Sequence, residues 1–539
     1  MKKLNLLIIL LTLFSINTSA QQTMGIFLNS PESFNGYTLF GPSQGKEQFL
    51  INNCGEKIHS WSSTFKSGST YLLENGTLLK TGGGGVEMID WDNTIIWQYT
   101  LPLSIGKAHH DIELLPNGNI LMIAKHEISQ AEVIQAGGST DSLTIISDQI
   151  VEIQPDLING GATIVWEWKA WDHLIQNTDT LKANYGNISE SPEKIDINFS
   201  VLDFKDWLHV NAIDYNAQFD QIVLSVPKFN EFWIIDHSTT TMESADSTGG
   251  TFGKGGDLLY RWGNPQSYNQ GDSSDQKLFF QHNPHWIEDS LSDGGKILLF
   301  NNQVGSAQNL DYSTVNIIDL PMDTNGFYTD TIGALGPSNF DWTYQAPTAT
   351  DFYSGFISGA QRLPNGNTLI CAGVSGRFFE IDTNETIVWE YVNPVTDLEF
   401  MTQGTTPENN QVFRCTRYAP DYAAFDGKTL SPQGYLEQGS TFNCTLYPLA
   451  INDIEKIQNE TILYPNPTTG FIRLSIPDKQ TTDLDVKIMN TNRQILLKEI
   501  LPKGNTVLEI DVNKLNNGIY FVLLTSNSEV WTEKIIVFK

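Results

Sequence analysis

At 539 residues the chain exceeds one ordinary hydrophobic core, so it requires two or more domains unless a repeat architecture spreads the core out. A hydrophobic fraction of 40% with 11% aromatic residues excludes a disordered chain. The 62 acidic against 32 basic side chains leave a formal net charge of −30, a surface that repels phosphate backbones and excludes a general nucleic-acid role.

The first twenty residues, MKKLNLLIILLTLFSINTSA, set two lysines before an apolar run from Leu4 to Ile16 and end on the small residues Ser19 and Ala20. That is the form of a secretory signal peptide over residues 1–20, and the run is short for a spanning helix. No later stretch is long and apolar enough to cross a bilayer, so the mature protein is expected to have no transmembrane span. The four cysteines, Cys54, Cys371, Cys415 and Cys444, are too few for a disulfide-stapled scaffold and form no CxxC pair for zinc.

One composite unit then recurs: a polar turn with Asn-Gly, an apolar strand, a second strand ending in Ile-Asp, and a strand ending in Trp-X-Tyr or Trp-X-Trp. The first copy is YLLENGTLLKTGGGGVEMIDWDNTIIWQY, from Tyr71 to Tyr99. The second opens on HHDIELLPNGNILMIAK, from His109 to Lys125, and resumes after an inserted loop, Gln130 to Asp148, as IVEIQPDLINGGATIVWEW. The third begins at HVNAIDYNAQFDQIVLSVPKF and closes near Trp262, and the fourth runs from QHNPHWIEDSLSDGGKILLFNN to Tyr344. AQRLPNGNTLICAGVSGRFFEIDTNETIVWEY, ending at Tyr391, is the fifth. Short strands joined by Asn-Gly and Gly-rich turns and repeated at tens of residues predict small antiparallel sheets arranged radially, a β-propeller.

FLINNCGEKIHSW near the start has only the second half of the unit, whereas NNQVFRCTRYAPDYAAF and STFNCTLYPL follow the fifth copy without an Ile-Asp partner. The two ends are therefore expected to share a sixth blade with FRCTRY innermost, bringing Cys54 into one sheet with Cys415 or Cys444. The fold class predicted is all-β: a six-bladed β-propeller over residues 21–449, a linker over 450–460, and a small C-terminal β-sandwich over 461–539.

That tail carries YPNPTTG from Tyr464 to Gly470, NGIYFV from Asn517, and EKIIVFK ending at Lys539. The three elements together resemble the type A sorting domain of the type IX secretion system of the Bacteroidetes group. The resemblance implies the type IX secretion machinery as a partner, and passage through the periplasm to a secreted or cell-surface location.

In a propeller the innermost strands line a central channel, where polar groups converge. Copy two carries His109 and His110 at the head of that strand, copy three His209, and copy four His282 and His285, five of nine histidines at corresponding places. His59, His126, His173 and His237 do not share the position and read as structural. Strand parity puts His109 opposite His110, and His282 opposite His285, so one of each pair is expected to face the channel. Such a cluster could bind a transition metal, hold an anionic or aromatic ligand, or supply a nucleophile flanked by groups that stabilise charge. No matching carboxylate or thiolate set beyond Asp111 accompanies it, so neither a metal nor another cofactor is expected. Trp97, Trp166, Trp262 and Trp389 recur at the strand ends of their copies and mark blade packing.

HHDIELLPNGNIL, DWLHVNAIDY, LSVPKFNEFWIIDHSTT, GKGGDLLYRWGNPQ, QHNPHWIE and FRCTRYAPDY together resemble the bacterial arylsulfate sulfotransferases, over about Gly36 to Leu449. The resemblance implies transfer of a sulfuryl group from a phenolic sulfate ester to a phenol, without nucleotide sulfate, by a ping-pong route through a sulfated histidine. It implies His282 as nucleophile, with His110 and His209 holding sulfate oxygens and handling the phenolic proton, and His109 and His285 beside the substrate. One departure stands out. Where the family reads roughly LSVRN and its arginine clamps the sulfate, this chain reads Leu224, Ser225, Val226, Pro227, Lys228. Lysine offers a point charge rather than a planar fork. Either Lys228 compensates through a bulge, or Arg414 or Arg417 does so from the closing blade, or the activity is weakened or changed; the alternative reading is a non-catalytic cell-surface binding protein on the same scaffold.

Overall fold

The computed structural model describes residues 22–138, 144–199, 205–305, 310–329, 333–396, 399–440, 442–447, 462–476, 484–490, 495–526 and 529–539. The expected signal peptide and linker lie outside the described residues. The chain divides into two compact units, Met1–Leu446 and Tyr447–Lys539.

In the first unit the repeats become sheets. The strands Thr70–Leu72, Leu78–Gly82, Gly85–Ile89 and Ile95–Thr100 form an antiparallel sheet in sequence order. So do Lys107–Leu114, Ile120–Ser129, Thr144–Pro155 and Ala162–Lys169; then Ala212–Asn216, Gln221–Val226, Glu231–Asp236 and Tyr260–Trp262; then His282–Trp286, Ile297–Asn301, Thr314–Ile318 and Trp342–Tyr344. The next sheet, Gly359–Arg362, Thr368–Ala372, Arg377–Ile381 and Ile387–Val392, gains an outer fifth strand from Gly25–Asn29, an addition the repeat pattern does not announce. The two ends share the remaining sheet: Val412–Tyr418 pairs with Tyr37–Pro42, which is followed by Glu47–Asn52 and Lys57–Ser62.

The middle strands are buried throughout, as in IVLSV, EFWIID, ILLFN and TLICA, because neighbouring sheets cover both of their faces. Each fully buried Leu, Ile or Val stabilises by roughly 1.5–3 kcal/mol. The Asn-Gly turns work through their glycines: Gly118 and Gly366 adopt φ of +86° and +87°, where an added Cβ would be strained. The insertion after Lys125 is not a plain loop. Its strand runs on to Ser129, where a Ser129–Glu132 capping box starts the helix Gln130–Gln135.

A tryptophan ring ties the sheets together. Each sheet sends the indole N–H of an outer-strand tryptophan to the sheet that follows: Trp61 to the Asp90 carbonyl, Trp97 to Gly161, Trp166 to the Thr239 hydroxyl, Trp262 to Pro337, Trp342 to Glu385, and Trp389 back to Asn53. The recurrent aromatic is thus a packing residue whose polar edge finds a partner when buried. The closing sheet is also pinned covalently. Cys54, just after its third strand, forms a disulfide with Cys444 across 390 residues, whereas Cys415 stays a buried thiol on the strand Val412–Tyr418.

In the second unit Ile462–Tyr464, Phe471–Ser475 and Val507–Asp511 form one sheet, and Ile495–Leu501, Leu484–Met489, Gly518–Ser526 and Glu529–Val537 the other. Ile472, Leu474 and Ile510 of the first share a core with Val486, Ile488 and Val522 of the second, which makes the unit a β-sandwich. Among the described residues no helix is long and apolar enough to cross a membrane.

Candidate active site

The innermost strands begin irregularly, and the irregularity builds the site. Ile112 pairs with Met122 and Ala108 with Ala124, so His109, His110 and Asp111 together face one residue of the partner strand. Two residues likewise sit in a bulge between His282, paired with Phe300, and His285, paired with Leu298. A bulge bends its strand and re-aims side chains. Left-handed backbone accompanies it at His110 (φ +55°), His209 (+56°), Asn283 (+54°) and Ile357 (+50°), the last unusual for a β-branched residue.

Strand parity therefore fails at both histidine pairs. Nδ1 of His109 lies 2.6 Å from Nδ1 of His110, and the His110 ring stands edge-on to His209 with centroids 4.8 Å apart. Phe280 bridges onward, 6.4 Å from the ring of His209 and 6.2 Å from that of His282. The structure thus gathers His109, His110, His209 and His282, with His285 facing the Arg414 and Asp111 charges from the same strand as His282.

Each histidine has its own support. His282 is 3% exposed; its Nδ1 donates to the Asn302 amide oxygen at 2.9 Å, and its Nε2 accepts from the Ile357 backbone N–H at 3.1 Å. Burial, reinforced by His209 and Arg414, pushes its pKa down to about 3, so the ring is neutral across the physiological range. Burial and the neighbouring His109, His209, His282 and Lys125 hold His110 well below the usual imidazole range, and burial takes His285 to about 4. His109 and His209 are backed by carboxylates: His109 Nε2 lies 3.0 Å from Asp148, and His209 Nδ1 lies 2.8 Å from Asp206, which also meets Lys125 at 3.5 Å.

Arg414 comes from the closing sheet. It donates to Asp111 and to the Tyr71 hydroxyl, both at 2.9 Å, and its buried Nε has no partner among the described residues. Asp111 and Tyr71 outweigh burial and keep the guanidinium firmly protonated. Farther along the same inner strands, burial and mutual repulsion raise the carboxyls of Glu113 and Asp214.

Arg417 is not brought to the histidines. It is buried in an ion pair with Glu380, donates to Thr38 and the Phe34 carbonyl, and lies over Trp389, so its charge is spent between sheets. The structure thus places it apart from the histidine cluster, between the sheets. Lys228 does approach: its ammonium sits 5.4 Å from the centre of the Phe280 ring, in the wall of a recess of about 310 Å³ shared with Pro227, Asn230, Phe279 and Gln303. Sequence reasoning missed Asp148, Asp206, Asn302 and the Ile357 turn. The available signal was a polar residue at the end of an apolar run, as in ILLFNN. Among the described residues no group of three or more His, Cys, Asp or Glu side chains could hold a metal ion.

Two family profiles match the chain: Arylsulfotransferase (ASST) over residues 21–414, and Secretion system C-terminal sorting domain over residues 462–538. No curated protein matches it. Among solved structures, a protein of unknown function from Bacteroides caccae is 13% identical, with 71% of this chain and 99% of that one covered and a TM-score of 0.38. Virginiamycin B lyase from Staphylococcus aureus is 12% identical, with 69% and 88% covered and a TM-score of 0.31. The profile match spans most of the chain; the protein is secreted or displayed at the cell surface, belongs to the arylsulfotransferase family, and ends in a type IX secretion sorting domain.

Proposed function

We propose that this protein is an exported aryl-sulfate sulfotransferase that moves a sulfuryl group from a phenolic sulfate ester to a phenol by way of a sulfated His282, on a six-bladed propeller spanning residues 21–449. The observation that carries this reading is the fixed tautomer of His282. Its Nδ1 hydrogen is committed to Asn302, so the lone pair is on Nε2, and burial keeps that nitrogen unprotonated.

In the donor step Nε2 attacks sulfur, the S–O bond to the phenol breaks, and the phenolate leaves. The Ile357 N–H that now occupies the Nε2 lone pair is displaced, and from 3.1 Å it is placed to donate to a sulfuryl oxygen. The Lys228 ammonium supplies further charge for the sulfuryl oxygens, the His209 imidazole stands beside Phe280 as a hydrogen-bonding neighbour, and Phe279 and Phe280 offer apolar walls for the aryl ring. In the acceptor step a phenol takes the group from His282. A burst of 4-nitrophenol from 4-nitrophenyl sulfate, followed by turnover with added phenol, tests this; a burst of equal size in His282→Ala would remove the nucleophile.

A second reading keeps the scaffold and drops the chemistry: a cell-surface binding protein. Pro227 and Lys228, at the place of the family arginine, favour it. Absence of any burst with several aryl sulfates would decide for it.

A further inference from the structure

His109 stands behind His110 and is itself backed by a carboxylate. Asp148 has no exposed side-chain surface, and both of its oxygens are engaged: Oδ2 accepts from the Val210 N–H at 2.7 Å, and Oδ1 lies 3.0 Å from His109 Nε2. Oδ1 therefore takes the hydrogen of His109 Nε2. A neutral His109 then has its lone pair on Nδ1, and the 2.6 Å contact with His110 Nδ1 requires the hydrogen there to belong to His110. The lone pair of His110 is consequently on Nε2, which makes no hydrogen bond among the described residues, on a residue that is itself only partly buried.

We propose that Asp148, His109 and His110 form a proton relay in which His110 Nε2 is the base for the acceptor's hydroxyl, and His109 and Asp148 are its positioning residues. This deepens the reading of the site given above and rests on it. In the acceptor step the phenol O–H breaks and its proton goes to His110 Nε2, while the Nδ1 hydrogen of His110 passes to His109 Nδ1. The phenol oxygen bonds to sulfur, and the S–N bond breaks with its electron pair returning to His282 Nε2. Positive charge ends on His109 against the Asp148 carboxylate, and that proton is returned to the phenolate that departs in the next donor step.

The surroundings of His110 fit this division of labour. His109, His209, His282 and Lys125 all face it and disfavour a charge kept on its own ring, so a proton is better held one residue back, beside the carboxylate.

Asp148→Asn tests the relay in the full-length protein. An amide has one acceptor and one donor face; with the oxygen on the Val210 N–H, its NH2 meets His109 Nε2 and reverses both tautomers, leaving hydrogen on His110 Nε2. The expected result is a donor burst within about threefold of wild type and an acceptor half-reaction about 10²-fold slower with phenol, whose pKa is ~10. The defect should shrink to a few-fold with a polyfluorinated phenol already ionised at the assay pH, because that acceptor brings no proton. Equal loss with both acceptors would overturn the relay, as would an unchanged 15N signature of His110 in histidine-labelled protein. If Asp148→Asn does not fold, His109→Gln should give the same split between acceptors. Should wild type show no donor burst at all, the sulfotransferase reading fails, and the 15N tautomer of His110 still decides whether the relay exists.

Discussion

Asn302 accepts the Nδ1 hydrogen of His282 at 2.9 Å while its own amide nitrogen donates to the carbonyls of Ser354 at 2.7 Å and Ile357 at 2.9 Å. One side chain thus ties the imidazole to the left-handed turn whose N–H meets the other ring nitrogen. With every polar atom of the amide engaged, its orientation and the His282 tautomer are set together.

Replacing Asn302 with leucine removes the acceptor and frees two buried carbonyls. We expect the donor burst to slow by about 10²-fold, because the fraction of rings presenting a lone pair at Nε2 falls and the ring is no longer held. The lost network should cost about 1–3 kcal/mol of stability. Stopped-flow release of 4-nitrophenol reads the first, and urea denaturation followed by tryptophan fluorescence reads the second. A burst at the wild-type rate would show that Asn302 has no part in aligning the nucleophile.

The low pKa of His282 sets a pH signature. An ordinary imidazole of pKa ~6.5 is about nine-tenths protonated at pH 5.5, whereas a ring held near 3 stays neutral there. The donor burst rate is therefore expected to stay within about twofold from pH 8 to pH 5. Stability moves the other way. The unfolded chain takes up the proton at the higher pH, so the contribution of this group is fully present above about 6.5 and is lost as pH falls toward about 3. A burst rate that drops tenfold between pH 7 and pH 5.5 would place the nucleophile elsewhere.

Arg414 and Asp111 form a buried pair, the arginine side chain 11% exposed and the carboxylate 0%, bonded at 2.9 Å. Arg414→Leu strands the carboxylate beside the raised carboxyls of Glu113 and Asp214, so a loss of about 3–5 kcal/mol is expected. Adding Asp111→Leu should recover much of it, since the uncompensated charge goes too. Calorimetric melting of the single and double variants measures the difference. A single variant as stable as wild type would mean that the pair contributes nothing.

Several of these relationships were legible in the residues and several were not. The Asn-Gly turns, the apolar runs and the tryptophans mark sheets and their order, because period and turn chemistry are local. The sharing of one sheet by Tyr37–Pro42 and Val412–Tyr418 could be inferred because each end lacks the part of the repeat that the other supplies. Which histidines converge could be read from their common position, but how they are aimed could not. Alternation assumes a regular strand, and the bulges at His109–Asp111 and after His282 cancel it. Asp148 lies two strands from His109 in the same sheet and Asn302 just after the strand that pairs with His282, 39 and 20 residues from the histidines they hold; a polar residue at the end of an apolar run marks Asn302, but nothing local says which histidine either one meets. Arg417 misled for a related reason. It shares the FRCTRY strand with Arg414, and only the packing reveals that Glu380 claims it.

Lys228 is a further cation near His282. It stands one aromatic ring from His282, over Phe280, and follows Pro227. A point charge at that distance attracts an anionic donor without matching the planar arrangement of two sulfate oxygens, so its effect belongs to binding more than to the transition state. Lys228→Ala is expected to raise the KM for an aryl sulfate about tenfold, with kcat within about threefold. The wild-type KM should also rise with salt more steeply than that of the variant, since the screened attraction is the one removed. Lys228→Arg should retain a low KM. An unchanged KM in the alanine variant, with salt dependence intact, would assign the donor's charge to Arg414, whose Nε is buried and unbonded among the described residues.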